Sequence, residues 1–145
     1  VIEYNCRFGD PETQVVLPLL ETDIMDIIEA VWEEKLDTLD IKWSDKSCAC
    51  VVMASGGYPE KYETGKVISG LDENGQCEGA FVYHAGTKLE DGKFLTAGGR
   101  VLGITAYGDT LKEALDTAYK AVDTISFEKA HYRHDIGKKA LSALK

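Results

Sequence analysis

The chain has 145 residues, 44% apolar and 28% charged, so it is long enough to bury a core of its own and too apolar to be a disordered tract. Its 25 acidic and 16 basic side chains leave a formal net charge of −9, which repels phosphate backbones and argues against non-specific nucleic-acid binding. No run reaches the roughly 20 apolar residues of a membrane span, and the opening VIEYNCRFGD lacks the regions of an export signal, so the expectation is a soluble, cytoplasmic protein.

The chain opens on Val1 without an initiator Met and already inside a strand-like pattern, which reads as a fragment or a processed piece. Residues 1 to 5, VIEYN, alternate apolar and polar as a strand does. The turn-rich stretch CRFGDPETQ follows, with Asp10 placed to cap a helix whose first position is Pro11. From Thr22 to about Leu36 the apolar positions Ile24, Ile27, Ile28, Val31 and Trp32 recur at helical spacing, predicting an amphipathic helix with one buried stripe. Nine acids against two lysines between Glu21 and Asp45 put most of the net charge here, as a solvated face.

After Asp45 the texture changes, because 12 of the 14 glycines fall between Gly56 and Gly108, between short apolar runs. This predicts strands at Cys48–Ala54, Lys66–Ser69, Ala80–His84, Lys93–Thr96 and Arg100–Tyr107, with turns at Asn74-Gly75 and Asp91-Gly92. Both faces of Cys48–Ala54 are apolar, so that strand is expected at the centre of its sheet. Thr110-x-x-Glu113 is a capping box ahead of a second amphipathic helix carrying Leu111, Ala114, Leu115, Ala118, Val122 and Ile125. The tail reads as an extended piece, a turn at Asp135–Gly137 and a short helix. The four cysteines, Cys6, Cys48, Cys50 and Cys77, lack zinc-site spacing and read as buried free thiols in a reducing compartment. A boundary is expected near residue 45, and the one-stranded unit before it must either dock on the second unit or end something larger.

At strand spacing Glu3, Asn5 and Arg7 share one face and bring a carboxylate, an amide oxygen and a guanidinium to one small volume. Hard oxygen donors followed by a cation suit a magnesium ion carrying phosphate oxygens, although an exposed polar strand face has the same pattern. Asp10, Glu12 and Gln14 add polar groups at a helix start, where backbone N–H groups also favour anions.

VIEYNCRFGDPETQ resembles the last strand and following loop of the ATP-grasp domain in the glycinamide ribonucleotide synthetase family, the phosphoribosylamine–glycine ligases. VVMASGGYP, YETGKVISGL, YHAGT, GGRVLGITAYG and YRHDIGKKAL resemble that family's C-terminal segments in the same order, so the likeness covers nearly the whole chain. The resemblance implies an α+β chain, with residues 1–45 the end of an ATP-grasp domain and 46–145 a small antiparallel β-rich domain with packed helices. It implies ligation of glycine to 5-phosphoribosylamine with ATP, through a glycyl phosphate, in purine synthesis. Carried over by position, Glu3 and Asn5 match the family's magnesium or manganese ligands, Arg7 falls on the acyl phosphate or a substrate anion, and Asp10 orients the substrate amine, a position that a helix cap explains equally well. The family's enzymes are longer, so the resemblance implies that this piece lacks the nucleotide-gripping lysines and flap upstream, is inactive alone and has that upstream part as its partner.

Weaker candidates are the loop SGGYPEKYETG, His84 as a hydrogen-bonded structural residue, an anion nest at Gly98-Gly99-Arg100, and the locally basic tail from Lys129. Two other readings stay open: a non-catalytic metal- or anion-binding module, and another ATP-grasp ligase.

Overall fold

The glycine-punctuated middle of the chain folds, in a computed structural model describing residues 1, 2, 4 and 6–143, into two antiparallel sheets. Strands β1 (Ser47–Ala54), β2 (Phe81–His84) and β5 (Arg100–Gly108) make the larger sheet in the order β1-β5-β2; β3 (Thr87–Glu90) and β4 (Lys93–Thr96) form a hairpin turned by Asp91 and Gly92. Both turn residues have positive φ, 49° and 72°, the combination that matches the right-handed twist of the flanking strands.

Register explains the core. Ala49, Val51 and Met53 lie opposite Ala106, Ile104 and Leu102, and Val82 also faces Ile104, so alternation gathers these side chains on one face. Helix α3 (Leu111–Thr124) lies on that face with Ala114, Leu115, Ala118, Ala121 and Val122 buried beneath it. Alanines at helical spacing let the helix backbone approach the sheet closely. Burying one of the larger side chains here is worth about 1.5–3 kcal/mol. The helix starts where the capping box places it: the Thr110 hydroxyl accepts from Glu113 N at 3.2 Å, and Glu113 Oε2 accepts from Thr110 N at 3.3 Å.

The central strand is β5, buried on both faces, and β1 stands at the edge, contrary to the expectation from its two apolar faces. The physical reason lies on the opposite side of the sheet. There α1 (Thr13–Val16) and the 3₁₀ turn Leu17–Leu19 pack over Cys48, Cys50 and Val52, and Tyr107 donates its hydroxyl hydrogen to the Pro18 carbonyl at 3.2 Å. A covering helix, not a further strand, makes the second face apolar. Along its outer edge β1 is paired at Ala54, which exchanges both backbone hydrogen bonds with His131 at 2.8 and 3.0 Å. The free edge of β2 is closed by a side chain, since the Gln76 amide donates to Val82 O and accepts from Val82 N.

Residues 66–69 form no strand; Val67 and Ser69 each make a single bridge, to Leu95 and Ser126. The Asn74-Gly75 turn forms, with Asp72 Oδ1 accepting from the backbone of Asn74 and Gln76. The tail turns at Asp135 and ends in α4 (Lys138–Ala143).

Helix α2 spans Ile24–Trp32, capped by Asp23, which accepts from Met25 N at 2.8 Å, and closed by Lys35 N donating to Ala30 O around Glu34 at φ 57°. The expected helix is therefore present, but its stripe is not buried: none of its residues is buried and Trp32 is 88% exposed. Nothing among the described residues covers that face. Val1, Ile2 and Tyr4 are exposed and belong to no strand, and Glu3 and Asn5 lie outside the described residues. Unpaired backbone has no ladder to hold it in a strand. No helix among the described residues is long and apolar enough to cross a membrane.

Candidate functional site

The FGDPETQ loop crosses the end of the large sheet and encloses a cavity of about 280 Å³. Asp10, Pro11 and Gln14 form one wall, Val52, Leu102 and Gly103 the sheet floor, and Tyr58, Gly86 and Arg100 the far side. Asp10 does not cap a helix at Pro11, because α1 begins at Thr13 and has no side-chain cap. Instead its carboxylate takes a two-pronged ion pair from Arg100, Nη2 to Oδ2 at 2.7 Å and Nη1 to Oδ1 at 3.2 Å. A planar fork matches a carboxylate, so the local cap is outcompeted by a charged partner 90 residues away. Gln14, on the first turn of α1, leaves Oε1 buried and without a hydrogen-bond partner.

Of the predicted metal and catalytic residues Glu3, Asn5, Arg7 and Asp10, Asp10 lines this cavity; Gln14, Tyr58 and Arg100, singled out as weaker candidates, line it as well. Arg7 is exposed, lies outside the lining and donates to the neighbouring Phe8 carbonyl at 2.9 Å. Glu3 and Asn5, the predicted metal ligands, lie outside the described residues. Among the described residues no three His, Cys, Asp or Glu side chains gather as a metal-binding group. Arg100 carried a weak signal, the Gly98-Gly99 pair before it; nothing local pointed to Asp10 as its partner.

The weaker candidates resolve into structural roles. His84 bridges Thr87 Oγ1 at 2.9 Å and the Gly75 carbonyl at 2.9 Å; the carbonyl can only accept, so Nε2 carries a proton. Lys66 sits between Glu63 at 3.0 Å and Glu128 at 3.1 Å, which ties residues 61–66 to the tail, raises the affinity of Lys66 for its proton and holds the Glu63 carboxyl below its usual range. In the basic tail Arg133 closes on Asp135 at 2.9 Å. The four cysteines are unpaired thiols, yet Cys6 is exposed and the other three only partly buried. Burial, and next the neighbouring Cys50, pushes the Cys48 thiol from 9.0 up to about 11.

Residues 48–139 match the family model "Phosphoribosylglycinamide synthetase, C domain". The chain is similar to the phosphoribosylamine–glycine ligase of Caldanaerobacter subterraneus subsp. tengcongensis, 55% identical over 94% of this chain and 32% of that protein. A bifunctional purine biosynthetic protein of Dictyostelium discoideum is 50% identical over 99% of this chain and 18% of its own length. Among solved structures, the phosphoribosylamine–glycine ligase of Thermotoga maritima superposes with a TM-score of 0.73 at 34% identity, over 93% of this chain and 32% of that one. The chain thus spans about a third of the single-function relatives it matches.

Proposed function

The chain belongs to the phosphoribosylglycinamide synthetase family through its C domain, and from that membership we propose that it is the C-terminal part of an ATP-grasp ligase joining glycine to 5-phosphoribosylamine. The observation that supports this reading is identity of about half the positions, running nearly the full length of the chain, with ligases about three times as long. In this proposal residues 1–45 end the ATP-grasp domain and 46–145 form the C-terminal domain. The exposed stripe of α2 then belongs against the upstream two-thirds of the ligase. In that reading Ile28, Val31 and Trp32 are an interior surface whose other half is not supplied among the described residues.

The proposed chemistry has two steps. The glycine carboxylate attacks the γ-phosphorus of ATP, releasing ADP and forming glycyl phosphate. The amine of phosphoribosylamine then attacks the acyl carbon, and phosphate leaves as the amide forms with loss of a proton. Glu3 and Asn5 would hold magnesium or manganese, an ion for which a carboxylate and an amide oxygen are suitable hard donors, with phosphate and water completing the set. When bound, that ion supplies positive charge to the transferring phosphoryl group. Arg7, exposed and free of an acidic partner among the described residues, would hold an anionic oxygen of the acyl phosphate. Asp10 would accept a hydrogen bond from the attacking amine at the cavity and orient its lone pair.

The test is ADP formation from ATP, magnesium, glycine and phosphoribosylamine by the 145-residue chain and by a version extended upstream to its natural start codon. Activity confined to the extended protein is expected. Activity in neither would replace the ligase reading with a binding module, and activity in the short chain would overturn its dependence on the upstream part.

A further inference from the structure

The two halves of the Asp10–Arg100 pair differ in how firmly they are held. Arg100 begins β5 beside an irregularity in register, opposite Ala54, on a backbone packed from two sides. A Cβ on Gly86 would come within 2.5 Å of the Arg100 carbonyl, and a Cβ on Gly99 within 2.2 Å of the Tyr58 ring. Neither glycine has room for a side chain, so the segment that launches the guanidinium is in close contact on both sides. Ser55 reinforces that base, donating its hydroxyl to Gly98 O and its backbone N–H to Gly99 O, both at 2.8 Å. Asp10, by contrast, sits in a turn outside any helix or strand, and residues 10–12 are exposed. Among the described residues its ion pair with Arg100 is the one salt bridge joining residues 1–45 to the rest.

The pair cannot be explained by stability. Its side chains are 40% and 55% exposed, and ion pairs this exposed contribute little to folding. What it fixes is the place of a carboxylate in the wall of the cavity. We propose that Arg100 is the positioning residue for Asp10, holding its carboxylate where the attacking amine of the acceptor substrate arrives. This rests on the ligase reading. The fork occupies two of the five guanidinium N–H groups and both carboxylate oxygens, leaving the carboxylate a second lone pair on each oxygen for the amine.

The experiment uses the full-length ligase with Arg100→Met, Arg100→Lys, Asp10→Asn and the double variant. Arg100→Met should lower kcat/KM for phosphoribosylamine by about 10- to 100-fold, as expected for a misplaced orienting group, with KM for ATP within about twofold of wild type. The double variant should be no worse than the worse single one, because both remove the same contact. Arg100→Lys should recover only part of the loss, since an ammonium keeps the charge and not the fork. Additive losses, an unaffected Arg100→Met enzyme, or equal damage to ATP binding would each overturn the proposal. A second measurement does not depend on turnover: in the 145-residue chain, Arg100→Met should move the amide resonances of residues 9–14 while the melting midpoint changes by less than about 5 °C. Unmoved resonances would overturn the positioning role whatever the enzyme does. A wild-type ligase that forms no ADP would sink the ligase reading, and moved resonances would then still support Arg100 as the residue that places Asp10.

Discussion

Helices α2 and α3 carry the same kind of message and meet different fates. Each has a helix-forming cap, Asp23 in one and Thr110 in the other, and each repeats apolar residues at helical spacing. The stripe of α3 is buried on the sheet that Val51, Ile104 and Leu102 build, whereas the more apolar stripe of α2 faces solvent. An amphipathic pattern therefore specifies which face will be buried and is silent on what buries it. The contrast extends to the units around the helices: residues 47–143 contain their own core, and the described part of residues 1–45 is joined to them through α1, the Pro18 carbonyl and Asp10.

If chemistry is concentrated in the first unit and stability in the second, substitutions should separate the two. The largest effect is expected from Glu3→Ala in the full-length ligase, with ADP formation reduced by about a hundredfold or more through loss of a metal ligand while the unfolding midpoint is unchanged. Wild-type ADP formation in that variant would remove Glu3 from the metal site. Next, Ile104→Ala should cost the 145-residue chain about 2–5 kcal/mol in urea unfolding, the range for a fully buried side chain. Ile28→Ala should stay within about 0.5 kcal/mol in the same chain, and a core-sized cost there would show that α2 is covered after all. Thr110→Ala should cost about 1 kcal/mol of global stability through its cap. Asp23→Ala should lower helicity by circular dichroism and leave the global midpoint in place.

The smallest effect concerns Cys48, whose folded thiol keeps its proton up to about 11 against an ordinary 9.0. The unfolded chain ionises first, so this group's contribution is full below about pH 9 and is lost as pH rises through about 11. Comparing urea midpoints of wild type and Cys48→Ala across that window tests the sign: the wild type should lose more. Alkylation at neutral pH should label the exposed Cys6 first.

Much of the C-terminal unit was legible because its signals are local. A capping box, an Asp-Gly turn and period-two alternation each act over a few residues, and they placed α3, the Asp91-Gly92 turn and four of the five strands, while β3, a short and mostly exposed strand, was missed. Asp10 misled for the same reason: a cap next to Pro11 is the strongest local reading, and a distant guanidinium displaced it. The two apolar faces of β1 pointed to the centre of the sheet and β5 stands there instead, because alternation reports which faces are covered and not which strands pair along each edge. For the metal site, Glu3 and Asn5 rest on pattern and resemblance alone.

From its sequence alone this protein was determined to be an α+β chain with a capped helix on an antiparallel sheet and a family likeness carried by motifs from FGDPETQ to YRHDIG, because short-range sterics, capping and alternation are properties of neighbouring residues. Tertiary structure alone decided that β5 is the central strand, that α2 shows its apolar stripe to solvent, and that Arg100 meets Asp10 across 90 residues. Those outcomes depend on which distant surfaces and charges come together, and no local period encodes that choice.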